Sequence, residues 1–127
     1  MIYNEKVMKA FKEPKNMGDL KDSNGTGRVG NPTCGDVMEV AIKVEKNEKG
    51  EEIIADIKVK TFGCVAAIAT SSTMTEIVKG KTLKELEKMT NKDISNALDG
   101  LPPLKEHCSN LSVEALHKAI ENYKNKK

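Results

Sequence analysis

Three cysteines carry most of the chemistry open to this 127-residue chain. Cys34 lies in Gly30-Asn31-Pro32-Thr33-Cys34-Gly35-Asp36 and Cys64 in Thr61-Phe62-Gly63-Cys64. Cys108 lies in Leu101-Pro102-Pro103-Leu104-Lys105-Glu106-His107-Cys108-Ser109. An odd number of thiols cannot pair completely within one molecule. Cys34 and Cys108 each have a second metal-capable side chain within two residues, Asp36 and His107. Three thiolates with either Asp36 or His107 would fill a four-coordinate site for a soft or borderline metal. There is no C-x-x-C pair, so the spacing is not that of a zinc ribbon or knuckle.

Each residue has a plainer role to be weighed against this. A lone cysteine is usually a small buried apolar residue, which suits Cys64 between Phe62 and Val65-Ala66. Asp36 follows a glycine, as turn aspartates do, and a lone histidine such as His107 is usually a surface or capping imidazole. What favours a shared site is where the cysteines fall. Cys64 immediately precedes a stretch predicted to be helical, where unpaired amides and the helix dipole favour a thiolate. Cys108 precedes the last predicted helix, with Lys105 and His107 able to support a thiolate. Cys34 sits in a Pro/Gly loop whose backbone can approach a ligand closely. His117 borders the apolar face of the last helix and reads as structural.

The elements that must position these residues follow from periodicity. Val7, Met8 and Phe11 at helical spacing, with Pro14 beyond, predict a helix over 4–12. Residues 14–36 are rich in Gly, Asn, Asp and Pro and read as one long loop. Alternation over 37–44 and 53–60 predicts two strands joined by a hairpin turn at Asn47-Glu48-Lys49-Gly50. The rest reads as helix. Residues 65–79 form one, with Val65, Ile68, Ala69, Ile77 and Val78 toward the core. Thr82 with Glu85 makes a capping box for 83–89, and Thr90 or Asn91 caps a short helix to Leu98, ended by Gly100 and Pro102. Ser112 caps 113–124, where Leu116, Ile120 and Tyr123 share a face. Strands followed by helices imply an α+β domain with helices on one sheet face.

Composition removes several function classes. The 21 basic and 19 acidic residues nearly balance at +2, and the aromatics are only Phe11, Phe62, Tyr3 and Tyr123. A basic surface with interleaved aromatics is missing, so nucleic acid is not the expected partner. No apolar run approaches the roughly 20 residues that span a bilayer, and Met1–Lys6 has no signal-peptide core, so no membrane association is expected. Unpaired cysteines without an export signal suit a reducing cytoplasm. Gly25-Thr26-Gly27-Arg28-Val29-Gly30 spells the dinucleotide fingerprint G-x-G-x-x-G. That motif needs a strand before it and a helix after it to hold a pyrophosphate. Here a polar loop precedes and Asn31-Pro32 and a strand follow, so nucleotide binding is not expected.

Taken together, Cys34-Gly35-Asp36-Val37-Met38-Glu39, Phe62-Gly63-Cys64 with its small-residue helix, and Leu101 through Ser109 resemble the iron–sulfur scaffold proteins of the IscU/NifU type. Tyr3-Asn4-Glu5-Lys6-Val7 and Pro14-Lys15-Asn16-Met17-Gly18 are similar as well, so the likeness runs from Tyr3 to Tyr123. It implies one scaffold domain over 1–127, with about three antiparallel strands packed against helices and without the further domains of full NifU. It implies assembly rather than enzymatic turnover. Ferrous iron and sulfur from a cysteine desulfurase would be built into a transient [2Fe–2S] cluster on Cys34, Cys64, Cys108 and either Asp36 or His107, then passed to apo-proteins. Cys108 would first accept the persulfide, with Lys105 and His107 assisting, and zinc would occupy the cluster-free site. The resemblance also extends to Hsp70/J-type chaperones docking on Leu101–Lys105, and to a homodimer. Two places depart from the family pattern. Leu104 stands where Val is usual, and Val65-Ala66 stands where Gly-Ser commonly follows the cysteine.

The residues themselves support a releasing site. A carboxylate oxygen is a hard donor among soft thiolates, so the Asp36 bond would be the weakest and most exchangeable. Two other readings compete: a zinc-bound sulfurtransferase that accepts persulfide on Cys108, and a structural zinc centre whose removal unfolds the chain.

Overall fold

In the computed structural model, which describes residues 3–31, 36–101 and 106–126, alternation and helical periodicity become three strands and five helices. The order is α1 (Glu5–Lys12), β1 (Gly25–Asn31), β2 (Asp36–Lys46), β3 (Glu52–Phe62), α2 (Val65–Val78), α3 (Leu83–Leu86), α4 (Asn91–Ala97) and α5 (Glu106–Lys126). The strands form an antiparallel sheet in the order β1-β2-β3. The expected α+β architecture with about three strands is therefore present.

The alternation of β2 does what its period requires. Met38, Val40, Ile42 and Val44 are buried, while Val37, Glu39, Ala41 and Lys43 are not. β2 and β3 join through a turn built on Asn47, whose carboxamide oxygen accepts from the Lys49 amide at 2.9 Å and the Glu51 amide at 3.0 Å. Helices α2 and α5 cover the inner sheet face, α5 over β1 and β2 and α2 over β3, and α1 packs on α2. Fully buried Met38, Ile42, Ile54, Ile57, Met74, Leu86, Ile94 and Leu116 fill the space between. Each such side chain contributes roughly 1.5–3 kcal/mol of burial free energy.

The long loop expected over 14–36 is corrected: Gly25–Asn31 is a strand paired along β2 from Gly25↔Ile42 to Asn31↔Asp36. Its glycines follow from a close approach. A Cβ on Gly25 would stand 2.6 Å from the Ala119 carbonyl oxygen, and one on Gly27 would press on Ala115 and Ala119 backbone atoms of α5. Only hydrogen at those positions lets helix and strand meet. The first two glycines of the dinucleotide spelling thus serve helix–strand packing. Asn24, just before β1, accepts from the Val44 amide at 2.8 Å and donates to the Val44 carbonyl at 3.0 Å. It thereby acts as one more rung beside the β2–β3 register shift at Lys43/Val44.

The last helix also differs from expectation. Ser112 is no cap; α5 already runs from Glu106, and Ser112 is buried in its interior. Thr82 does cap α3, accepting from the Glu85 amide at 3.2 Å, but α3 is one turn long. Asp93 accepts from the Thr90 amide at 2.9 Å, so the cap on α4 is in place. Among the described residues no helix is long and apolar enough to cross a membrane.

Candidate functional site

Two of the three cysteines are brought together by the way α2 and α5 begin. β3 ends at Phe62, paired with Val37 one residue into β2. The chain then turns through Gly63, and Cys64 becomes the residue that opens α2. Its backbone is extended (φ −84°, ψ −177°), the usual conformation at a helix N-cap, and its carbonyl accepts from the Ile68 amide at 3.2 Å. Its side chain makes no capping bond to α2. Cys64 thus immediately precedes α2, as the sequence predicts.

Cys108 lies within the first turn of α5 and is fully buried, whereas Cys64 is half-buried. Cys108 forms a small cluster with Ala66 and Ala67 of α2, on which Cys64, Tyr3 and Leu101 pack. The small residues after Cys64 are what let α5 come this close. The expectation that Cys108 precedes the last helix is corrected, since α5 starts two residues earlier.

The remaining predicted residues divide by what is described. Asp36 is the first residue of β2, opposite Asn31 and next to the Val37↔Phe62 pair, so the topology sets its backbone at the sheet end from which Cys64 follows. His107 is in the first turn of α5, adjacent to Cys108. Cys34 and Lys105 lie outside the described residues. Among the described residues no group of three metal-capable side chains converges. His117 is structural, as read from the sequence: its Nε2 is 2.9 Å from the Leu86 carbonyl oxygen.

Sequence reasoning missed the groups that hold this region together. Asn4 caps α1, its oxygen accepting from the Val7 amide at 2.9 Å. The same carboxamide donates to the carbonyls of Leu98 at 2.8 Å and Gly100 at 3.2 Å. It ties the start of α1 to the segment that leads into Leu101, and Lys6 adds an ion pair to Asp99 at 3.3 Å. Asp99 (φ +58°) and Gly100 (φ +94°) are both left-handed and turn the chain sharply there. Local sequence gives no sign of the clasp, because the carbonyl partners are more than 90 residues away.

α2 is also more buried than its pattern suggests. Besides Ala66, Ala67, Ala69, Met74 and Val78, it buries Thr70, Ser71, Ser72 and Thr75. Predicted core residues Val65, Ile68 and Ile77 are only half-buried. Hydroxyls survive burial here because each finds an acceptor or donor. Ser71 donates to the Ala67 carbonyl at 2.8 Å, Thr75 to that of Ser72 at 2.6 Å, and Ser72 accepts from the Lys15 amide at 2.8 Å. No buried side-chain oxygen or nitrogen among the described residues lacks a partner.

Comparison with known proteins bears on this geometry. The model of the NifU-like N terminal domain matches residues 2–127. The chain is 51% identical over 121 residues to an iron-sulfur cluster assembly scaffold protein IscU of Aquifex aeolicus, covering 95% of this chain and 75% of that one. It is 49% identical over 130 residues to the protein of the same description in Escherichia coli, covering 100% and 98%. Among solved structures, a nitrogen-fixing NifU-like protein (N-terminal) from Brucella abortus superposes with a TM-score of 0.73 at 19% identity, over 99% of this chain and 96% of that one. A putative scaffold protein for the SUF system from Fervidobacterium islandicum gives 0.69 at 21% identity, over 93% and 96%. At those identities the two structures speak to fold alone.

Proposed function

Because the chain belongs to the family of NifU-like N-terminal domains, we propose that it is a scaffold on which iron–sulfur clusters are assembled and from which they pass to acceptor proteins. The observation that carries this is the half-identity to IscU scaffold relatives along essentially the whole chain. The packing of Cys64 on the Cys108 cluster supports it, since a shared cargo needs thiols from α2 and α5 at one place.

In this reading the cargo is a [2Fe–2S] cluster made from ferrous iron and desulfurase-derived sulfur. Cys108 accepts the sulfur first, as a persulfide, and an external electron donor reduces it to sulfide as it enters the cluster. Lys105 and His107, three residues and one residue before it in sequence, supply positive charge and a proton-exchanging group. Cys34, Cys64 and Cys108 then hold the cluster, with Asp36 or His107 as the fourth donor. Zinc competes for the same thiolates, because they suit it equally. The protein acts as carrier rather than catalyst. Its partners are a cysteine desulfurase, apo-acceptors and, through Leu101–Lys105, chaperones of the Hsp70/J type, with a second copy of the chain as a further partner.

The test is anaerobic reconstitution with ferrous iron, L-cysteine and a catalytic amount of cysteine desulfurase. Equal iron and acid-labile sulfide with a [2Fe–2S] absorption spectrum is the expected result. Persulfide on Cys108 with tightly held zinc and no labile sulfide would overturn it in favour of a sulfurtransferase.

A further inference from the structure

Seven hydroxyl side chains are buried among the described residues, four on α2, one on α4 and two on α5. Those of Ser71 and Thr75 bond back to carbonyls of their own helix. Thr70 and Ser112 do more. Ser112, on the turn of α5 above Cys108, has its hydroxyl 3.1 Å from the Cys108 carbonyl oxygen and 3.2 Å from the Thr70 hydroxyl. Thr70, on α2, reaches the same Cys108 carbonyl at 3.4 Å and the Ala67 carbonyl at 3.2 Å.

Each hydroxyl has one proton and two acceptors within reach, so Ser112 donates to the Cys108 carbonyl or the Thr70 oxygen, and Thr70 donates to the Cys108 or the Ala67 carbonyl. Only Thr70 makes the link an interhelical one, from α2 to the first turn of α5. All three residues are fully buried, so water does not replace a lost partner without local opening.

We propose that Thr70 and Ser112 are positioning residues for Cys108, clamping the first turn of α5 onto α2 so that its thiol stays in the cluster on which Cys64 packs. The role deepens the scaffold reading and rests on it for its purpose: the thiol that receives sulfur is held against the helix that Cys64 opens. A plain packing role would be served as well by valine, which has the shape of threonine without the hydroxyl.

The test compares the metal-free full chain with Thr70→Val and Thr70→Ser, following N-ethylmaleimide labelling of each cysteine by peptide mass spectrometry. Thr70→Val is expected to speed labelling of Cys108 by about fivefold or more, the consequence of losing one buried hydrogen bond from a locally opening turn. Labelling of Cys64, the internal reference, should stay within about twofold, and Thr70→Ser should restore the parent rate at Cys108. Unchanged labelling of Cys108 in Thr70→Val would overturn the proposal. So would equal acceleration at Cys64, which marks a loss of overall stability, or a serine variant as fast as the valine one. The measurement uses neither iron nor a sulfur donor, so its failure and failure of cluster assembly are separately visible.

Discussion

At the scale of single residues, the proposed function rests on a donor set of unequal softness. If Asp36 is the weak fourth ligand, Asp36→Cys replaces a hard oxygen with a fourth thiolate. Release of a preformed cluster to an apo-ferredoxin should then slow by about tenfold, the equivalent of ~1.4 kcal/mol in ligand exchange; release as fast as in the parent would remove Asp36 from this role. The cysteines and their metal-capable neighbours were legible because motifs are local in sequence. The hydroxyls of Thr70 and Ser112 were not, since a serine four residues beyond Cys108 reads equally well as a helix cap, and only the approach of α2 gives it another purpose. Asn4 shows the same limit. Replacing it with Asp keeps the cap on α1 but removes both donors to Leu98 and Gly100. The expected cost is about 1–2 kcal/mol in urea unfolding, together with faster hydrogen exchange near Leu98–Leu101; a variant as stable and as protected as the parent would contradict the clasp.

Among the elements, β1 and α5 are the pair that sequence periodicity described least well. β1 has little apolar alternation because two of its inward positions are the glycines against α5. The strand signal was erased by the contact that makes the strand useful. Gly27→Ala should therefore destabilise the fold by about 3 kcal/mol in urea titration, since backbone atoms of α5 cannot step aside as a flexible side chain would. A loss under about 0.5 kcal/mol, the usual range for a neutral surface change, would contradict that packing. The far end of α5 offers a test by pH. The Tyr123 hydroxyl donates to Glu52, and that bond, with burial and the nearby carboxylate charge, pushes its pKa from 10.0 up to about 12. A raised folded-state pKa means the contribution is full below pH 10.0 and is lost as pH rises toward about 12. Stability measured across that window should fall more steeply for the parent than for Tyr123→Phe; parallel curves would show that the phenol does not hold α5 to β3. By contrast, β2, β3, α1 and α2 were readable nearly to their ends, because each presents its own apolar period or cap.

For the molecule as a whole, the sheet and helices explain why thiols distant in sequence can share a cargo. β3 leads directly into the helix that Cys64 opens, and α5 lays Cys108 against that helix through Ala66 and Ala67. Family membership along the full chain then gives this arrangement its purpose. A scaffold differs from an iron–sulfur protein in that what it builds must leave. The decisive measurement is therefore a chase: protein loaded anaerobically with a [2Fe–2S] cluster, mixed with an apo-ferredoxin in the presence of an iron chelator, and followed by visible circular dichroism. The account predicts that the cluster signal moves to the ferredoxin intact, faster than ferredoxin is reconstituted from free iron and sulfide. A cluster that stays on the chain, or reaches the ferredoxin only when the chelator is omitted, would contradict it.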